Sequence, residues 1–103
     1  MIDALERGAV GSMPAAGFTR YFAEIQRLFE TGDRLAAEAL FQSELPFVLW
    51  AMQSLDFSVR SAKTELLGRG VFTTRVMREP WAPLDEIAED QLRRFIAGRP
   101  GIT

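Results

Sequence analysis

The sequence predicts a small α/β unit that is mainly α-helical and carries one extended segment near its N terminus. Its 103 residues can bury one modest core, and 48% of them are apolar. Residues 7–18, which read RGAVGSMPAAGF, are typical of a glycine-containing strand followed by a turn. From Phe18 onward, apolar residues recur at helical spacing. We therefore expect helices after a single strand.

The first two elements are a helix end and the extended segment. Residues 1–7 are expected to be the end of a helix that Gly8 stops, because glycine tolerates the left-handed conformation found after helix C termini. Residues 8–16 are expected to form a strand and its turn. A lone strand cannot satisfy its own backbone amides. It must therefore pair with another chain, pair with itself in a dimer, or unfold.

The next helix is predicted over residues 17–31. Its apolar residues follow the spacing of one helix face, and they are Phe18, Tyr21, Phe22, Ile25, Leu28 and Phe29. Gly32 is expected to end this helix in the left-handed conformation, and Asp33 to cap the helix that follows. The two helices should therefore meet at a tight corner.

Residues 33–97 are predicted to hold three further helices. The first runs from about Arg34 to Leu55, is apolar nearly all round, and is expected to kink at Pro46. The second covers roughly residues 57–67 and is ended by glycines. Residues 71–84 are predicted to be irregular, because they contain Pro80 and Pro83. Asp85 is then predicted to cap the last helix.

Composition and charge exclude several functions. The formal net charge of −2 gives no basic surface for nucleic acid or an anionic membrane. No apolar run approaches the roughly 20 residues of a membrane span, and no signal peptide is visible. The sequence has neither cysteine nor histidine, which excludes disulfides, thiol nucleophiles, Cys/His zinc sites and imidazole acid–base chemistry. A soluble protein of the cytoplasm is the expectation.

Residues 7–18 and several later positions together carry a resemblance to a known family. The later positions are Arg60, Lys63, Gly70, Arg78, Pro80 and the run of residues 83–86. With these features the chain resembles the dihydrodipicolinate synthase/N-acetylneuraminate lyase group, which are pyruvate-handling Schiff-base aldolases built on a (β/α)8 barrel. The resemblance extends from about Ile2 to Phe95 and covers only the C-terminal third of that family.

The resemblance implies that this chain is a C-terminal fragment of a (β/α)8 barrel. Residues 8–16 would be strand eight with its turn, residues 17–31 the barrel helix, and residues 33–97 a C-terminal helical extension. A whole barrel typically takes about 250 residues, so this chain cannot close one alone. The imine-forming lysine of the family lies on strand six, upstream of anything present here. We therefore expect no catalytic residue, no metal and no cofactor in this chain.

The same resemblance implies a substrate-binding position in the extended segment. Met13 matches the apolar position that faces bound pyruvate in the family, and Pro14 and Ala15 would lie at the rim of that pocket. Barrel enzymes place substrate at the C-terminal ends of their strands. Some sialic-acid-type members carry a hydroxyl near position 15, and Ala15 lacks one, which argues against that subclass.

Three other features suggest catalysis but favour a structural interpretation. Lys63 is the single lysine, yet an imine-forming amine must be neutral, and a mid-helix lysine is expected in solvent or paired with a carboxylate. Tyr21 lies on the apolar helix face, so core packing with a solvated hydroxyl is favoured. Thr73 and Thr74 resemble the threonines that hold the pyruvate carboxylate in the family, but at a different place in the chain.

Two functions from different classes remain open. In the first, the chain is the C-terminal segment of an aldolase or lyase that forms a lysine Schiff base with pyruvate or a 2-keto acid, and the isolated chain has no turnover. In the second, it is a stand-alone helical module for interaction or oligomerisation, as the all-round apolar second helix indicates. Either a homo-oligomer or dependence on missing barrel segments is expected.

Overall fold

A computed structural model describes residues 1–102. In chain order, its elements are α1 (Ile2–Glu6), a 3₁₀ turn (Ala16–Phe18), α2 (Thr19–Glu30), α3 (Arg34–Ala51), α4 (Leu55–Gly68) and α5 (Glu86–Ala97). No β-strand forms within this range. The mainly helical character predicted for the chain is therefore confirmed.

The strand expected at residues 8–16 is not formed. Residues 9–15 have no regular structure, and they run from Gly8, whose φ is +97°, to the 3₁₀ turn. A strand requires a neighbouring strand that exchanges backbone hydrogen bonds with it, and the described part of the chain offers none. The described residues by themselves therefore form a helical structure rather than the predicted α/β unit.

The predicted corner between α2 and α3 is confirmed. Gly32 follows α2 with a φ of +89°, a left-handed conformation that glycine adopts without a steric penalty. The Asp33 carboxylate accepts a hydrogen bond from the Ala36 amide at 3.2 Å. Because this bond satisfies a free amide of the first turn, it fixes the start of α3.

The boundary between α3 and α4 differs from the prediction. α3 continues through Pro46 but ends at Ala51, and α4 already begins at Leu55. The physical reason is Ser54, whose hydroxyl accepts a hydrogen bond from the Phe57 amide at 3.2 Å. A serine in this position caps the helix that follows it, so the chain turns before Leu55 rather than after it.

The hydrophobic core lies where α3, α5 and the 3₁₀ turn meet. Its buried members are Phe18, Phe47, Ala51, Leu84, Ala88 and Leu92. The ring of Phe47 stacks on that of Phe95 with centroids 5.2 Å apart, and the indole nitrogen of Trp50 donates to Gln91 at 2.9 Å. These contacts hold α5 against α3. Asp85 caps α5 as predicted, with its carboxylate 2.8 Å from the Ala88 amide.

The 3₁₀ turn packs tightly on α4. A Cβ atom placed on Gly17 would lie only 3.0 Å from the Cα of Ala62. Only glycine allows the two backbones to approach this closely. The contact fixes the C-terminal end of the extended segment against the helical body.

Candidate functional site

An apolar groove of about 430 Å³ opens beside the extended segment. Its lining residues lie in or next to α1, the extended segment, the 3₁₀ turn, α2, α3 and α4. They are Met1, Ala4, Leu5, Ala9, Gly11, Ser12, Met13, Pro14, Ala15, Phe18, Phe22, Val48, Ala51, Met52 and Ser58. Two serine hydroxyls are the polar side-chain groups of this lining, and no side chain in it is charged. The groove is therefore suited to apolar contacts, and its side chains offer no cation for a carboxylate.

All three residues predicted to bind substrate line this groove. Met13, Pro14 and Ala15 form part of one wall, and the side chain of Met13 is 100% exposed. The structure therefore places them together on an open surface rather than in an enclosed pocket. Their contact with pyruvate stays a prediction.

The backbone beside the groove has free hydrogen-bonding groups. Within residues 1–102, no hydrogen bond of the protein involves the main chain of Gly11, Ser12 or Met13. The carbonyl of Val10 is held by the side chain of Gln26 at 2.9 Å. This stretch consequently presents backbone donors and acceptors to the surface, as the edge of a sheet does.

Lys63 lies away from the groove. It lines a separate surface depression with residues 71–74 and Val76, and its ammonium donates a hydrogen bond to the carbonyl of Val76 at 2.5 Å. The prediction was solvent or a carboxylate such as Glu65; among the described residues, the loop after α4 instead brings a backbone oxygen to the amine. The structural interpretation of Lys63 is consistent with this placement.

A buried ionic cluster, which we call the Arg99 cluster, was not predicted. It consists of Arg99, Glu44, Glu65, Arg20 and Tyr21. The guanidinium of Arg99 donates from Nε to Glu44 at 3.1 Å and from Nη1 to the carbonyl of Gly17 at 2.8 Å. The side chains of Arg99 and Glu44 are 3% and 1% exposed, so water screens this pair very little.

The remaining members of the cluster connect α2 and α4 to the C-terminal residues. Arg20 pairs with Glu65 at 3.2 Å, and the Tyr21 hydroxyl donates to the carbonyl of Pro100 at 3.1 Å. The Tyr21 ring lies 3.7 Å under the guanidinium of Arg99, a cation–π contact. The predicted solvated hydroxyl of Tyr21 is therefore wrong, since the C-terminal residues cover it. The cluster is a structural anchor for the end of the chain.

A second ionic group connects α4, the following loop and α5. Glu89 accepts hydrogen bonds from Arg60 and Arg75, each at 3.0 Å. Burial alone would raise the pKa of the Glu89 carboxyl, but the hydrogen bonds and charges of the two arginines outweigh it and lower this pKa below its ordinary value. Asp85 thus caps α5, and Glu89 joins the helix to α4 and the loop before it. No cluster of potential metal ligands occurs among the described residues.

The described helices also contain none that is long and apolar enough to cross a membrane.

A comparison with solved structures finds a clear likeness. The crystal structure of dihydrodipicolinate synthase from Rhodopseudomonas palustris matches this chain with a TM-score of 0.81 and 27% sequence identity over 90% of the chain. The match covers 31% of that synthase, so this chain spans about a third of its length. Neither a protein-family model nor a curated protein sequence matches the chain.

This likeness confirms the resemblance that the sequence predicted. The helical arrangement is similar to that of a segment of the Rhodopseudomonas palustris synthase, and the coverage is consistent with the C-terminal region that the motifs indicated.

Proposed function

We propose that this chain is the C-terminal segment of a lyase or aldolase that forms a lysine Schiff base with pyruvate or another 2-keto acid. The observation that carries the proposal is the structural match to the Rhodopseudomonas palustris synthase at a TM-score of 0.81. In the proposed reaction, a lysine outside residues 1–103 attacks the keto carbon, and loss of water gives an imine. The imine then stabilises the carbanion needed for aldol condensation, cleavage or dehydration.

In this proposal the chain completes a (β/α)8 barrel. Residues 8–16 act as strand eight, residues 17–31 as the barrel helix, and residues 33–97 as a helical extension on the outside. Met13 faces the bound keto acid, and Pro14 and Ala15 lie at the rim of the substrate pocket. These three consecutive residues line the apolar groove, and barrel enzymes bind substrate at the C-terminal ends of their strands.

Imine trapping tests the proposal. The full chain and a chimera, in which it replaces the matched segment of the Rhodopseudomonas palustris synthase, are incubated with pyruvate and reduced with borohydride. We expect mass spectrometry to find an adduct on a synthase-derived lysine of the chimera and none on the chain alone. A Lys63→Arg substitution should leave the adduct of the chimera unchanged. A stoichiometric adduct on Lys63 of the isolated chain would contradict the proposal.

The alternative function is a stand-alone helical module for interaction or oligomerisation. It is favoured by a specific observation, because the described residues form an aromatic core and bury the Arg99 cluster among themselves. Sedimentation velocity and thermal melting by circular dichroism separate the two. A cooperatively melting oligomer, together with a chimera that traps no pyruvate, would favour the module over the enzyme segment.

A further inference from the structure

We propose that Arg99 is a positioning residue for the substrate-binding residues 13–15, which it fixes through the carbonyl of Gly17. Gly17 belongs to the 3₁₀ turn (Ala16–Phe18) that directly follows Ala15. The role rests on the proposed function, and it adds to the substrate site a residue from the opposite end of the chain.

The guanidinium of Arg99 divides its donors between two partners. Nε and Nη2 donate to the carboxylate of Glu44, and Nη1 donates to the carbonyl of Gly17 at 2.8 Å. Because the carboxylate holds one edge of a planar group, the remaining nitrogen has a fixed direction. The Arg99 side chain is 3% exposed, so water has little access to the bond with Gly17. The contact with the turn is therefore distinct from the ion pair with Glu44.

Local bonds fix the shape of the 3₁₀ turn but not its place on the helical body. The Phe18 amide donates to the Ala15 carbonyl at 2.8 Å, and both groups move together with the turn. Arg99, in contrast, comes from beyond α5 and is 82 positions from Gly17 in the chain. The close approach of Gly17 to Ala62 adds a steric limit. These two long-range contacts fix the turn on the body.

Residues 13–15 depend on the turn for their own position. Within residues 1–102, the main chain of residues 11–14 makes no hydrogen bond, and the side chain of Met13 is 100% exposed. The nearest upstream attachment is the Val10 carbonyl, which accepts a hydrogen bond from Gln26. A displaced turn would therefore displace the residues that face the keto acid, and small errors in such positions are costly for enzymes.

A lysine at position 99 separates the positioning role from the ion pair. Arg99→Lys keeps a positive charge beside Glu44 but lacks the planar fork that reaches two partners at fixed angles. Arg20→Lys is the matched control, because Arg20 belongs to the same cluster and donates to Glu65 and to the carbonyl of Ile102. Within the described chain, the Arg20 side chain makes no hydrogen bond to the 3₁₀ turn.

Imine trapping in the chimera, repeated over a range of pyruvate concentrations, measures the effect on substrate binding. We expect Arg99→Lys to raise the half-saturating pyruvate concentration about tenfold with an unchanged plateau of adduct, because the binding residues are misplaced while the imine-forming lysine is untouched. Arg20→Lys should leave the half-saturating concentration unchanged. A merely structural role would instead lower the plateau, since unfolded molecules form no adduct. Equal half-saturating concentrations in the two variants would contradict the proposal.

A double substitution covers the case in which the Arg99→Lys chimera does not fold. Arg99→Met combined with Glu44→Met removes both buried charges, which is often neutral for stability, and it also removes the bond to Gly17. We expect the same rise in the half-saturating pyruvate concentration. A folded double variant with an unchanged value would contradict the positioning role.

Hydrogen exchange of the full chain tests the attachment of the turn without any reaction. We expect Arg99→Lys to speed exchange of the Phe18 amide by about tenfold or more relative to the amide of Ala51, which is buried in α3, because local release exposes only the turn. Global unfolding would speed both amides together. Arg20→Lys should leave the ratio unchanged, and equal ratios in the two variants would contradict the attachment.

The two proposals fail separately. Faster exchange of the Phe18 amide in Arg99→Lys, with no pyruvate trapped by the unsubstituted chimera, would refute the proposed function and retain Arg99 as the residue that fixes the turn. A trapped pyruvate with the same half-saturating concentration in the Arg99→Lys and unsubstituted chimeras would refute the positioning role and retain the enzyme assignment.

Discussion

Replacement of Arg99 by methionine should destabilise the isolated chain severely. The substitution keeps an apolar stem of similar length but removes the guanidinium that contacts Glu44 and the carbonyl of Gly17. Glu65 retains its contact with Arg20 at 3.2 Å, whereas Glu44 is 1% exposed and loses its cation. The Arg99→Met chain therefore holds an uncompensated buried carboxylate.

The magnitude follows from this burial. Breaking a buried ion pair by removing one partner costs about 3–5 kcal/mol. A domain of this size has a total unfolding free energy of about 5–15 kcal/mol, so the loss is a large share of it. The structure offers a matched control in Arg94, whose pair with Asp90 has side chains that are 70% and 55% exposed. Arg94→Met should cost less than about 1 kcal/mol.

Urea unfolding followed by circular dichroism measures both changes. We expect the midpoint for Arg99→Met to fall far below that of the unsubstituted chain, and the midpoint for Arg94→Met to stay close to it. Adding Glu44→Met to Arg99→Met should recover part of the loss, because the orphaned charge is then removed. If Arg99→Met and Arg94→Met were equally stable, the assignment of the Arg99 cluster as a structural anchor would be refuted.

Three further predictions concern stability and use the same unfolding assay. Asp85→Ala should cost about 0.5–2 kcal/mol, because the Ala88 amide loses its cap at 2.8 Å, and an unchanged midpoint would contradict this. Gly17→Ala should destabilise the chain, since the new Cβ would lie 3.0 Å from the Ala62 Cα; a neutral result would show that the turn moves freely. Because the folded-state pKa of Glu89 is lowered, its stabilisation is present above its ordinary pKa of 4.5 and is lost as the pH falls through the folded-state value. Glu89→Gln should therefore flatten the acid limb of a stability–pH profile, and an unaltered limb would refute this contribution.

The helices could be predicted because their signals are local. The apolar face of α2 and the caps Asp33 and Asp85 each depend on residues within a few positions of one another. The start of α4 was missed although its signal was equally local, since Ser54 is an N-cap residue followed by a helical pattern. The apolar pattern from Arg34 to Leu55 favoured one long helix, and Ser54 was therefore not recognised as a cap.

The Arg99 cluster could not be predicted in the same way. Arg99 and Glu44 are 55 positions apart in the chain, and no periodicity connects them. A glutamate inside an apolar helix was the available signal, because a buried carboxylate requires a cation somewhere in the fold. The sequence did not specify which arginine would supply it.

The substrate-binding role of residues 13–15 stays a prediction. The motif resemblance selected the consecutive residues Met13, Pro14 and Ala15, and all three line the apolar groove. The contribution of Val48 and Ala51 of α3 to the groove was not foreseen, because it depends on tertiary packing between residues far apart in the chain. The strand itself was expected but cannot form where no neighbouring strand is present.

The central claim is that this chain can take the place of the matched segment in a dihydrodipicolinate synthase. The turnover number of the chimera, compared with that of the Rhodopseudomonas palustris synthase lacking the segment, tests it most directly. The chimera is expected to form product, and the shortened synthase is expected to form none. A chimera that melts cooperatively yet is as inactive as the shortened synthase would contradict it.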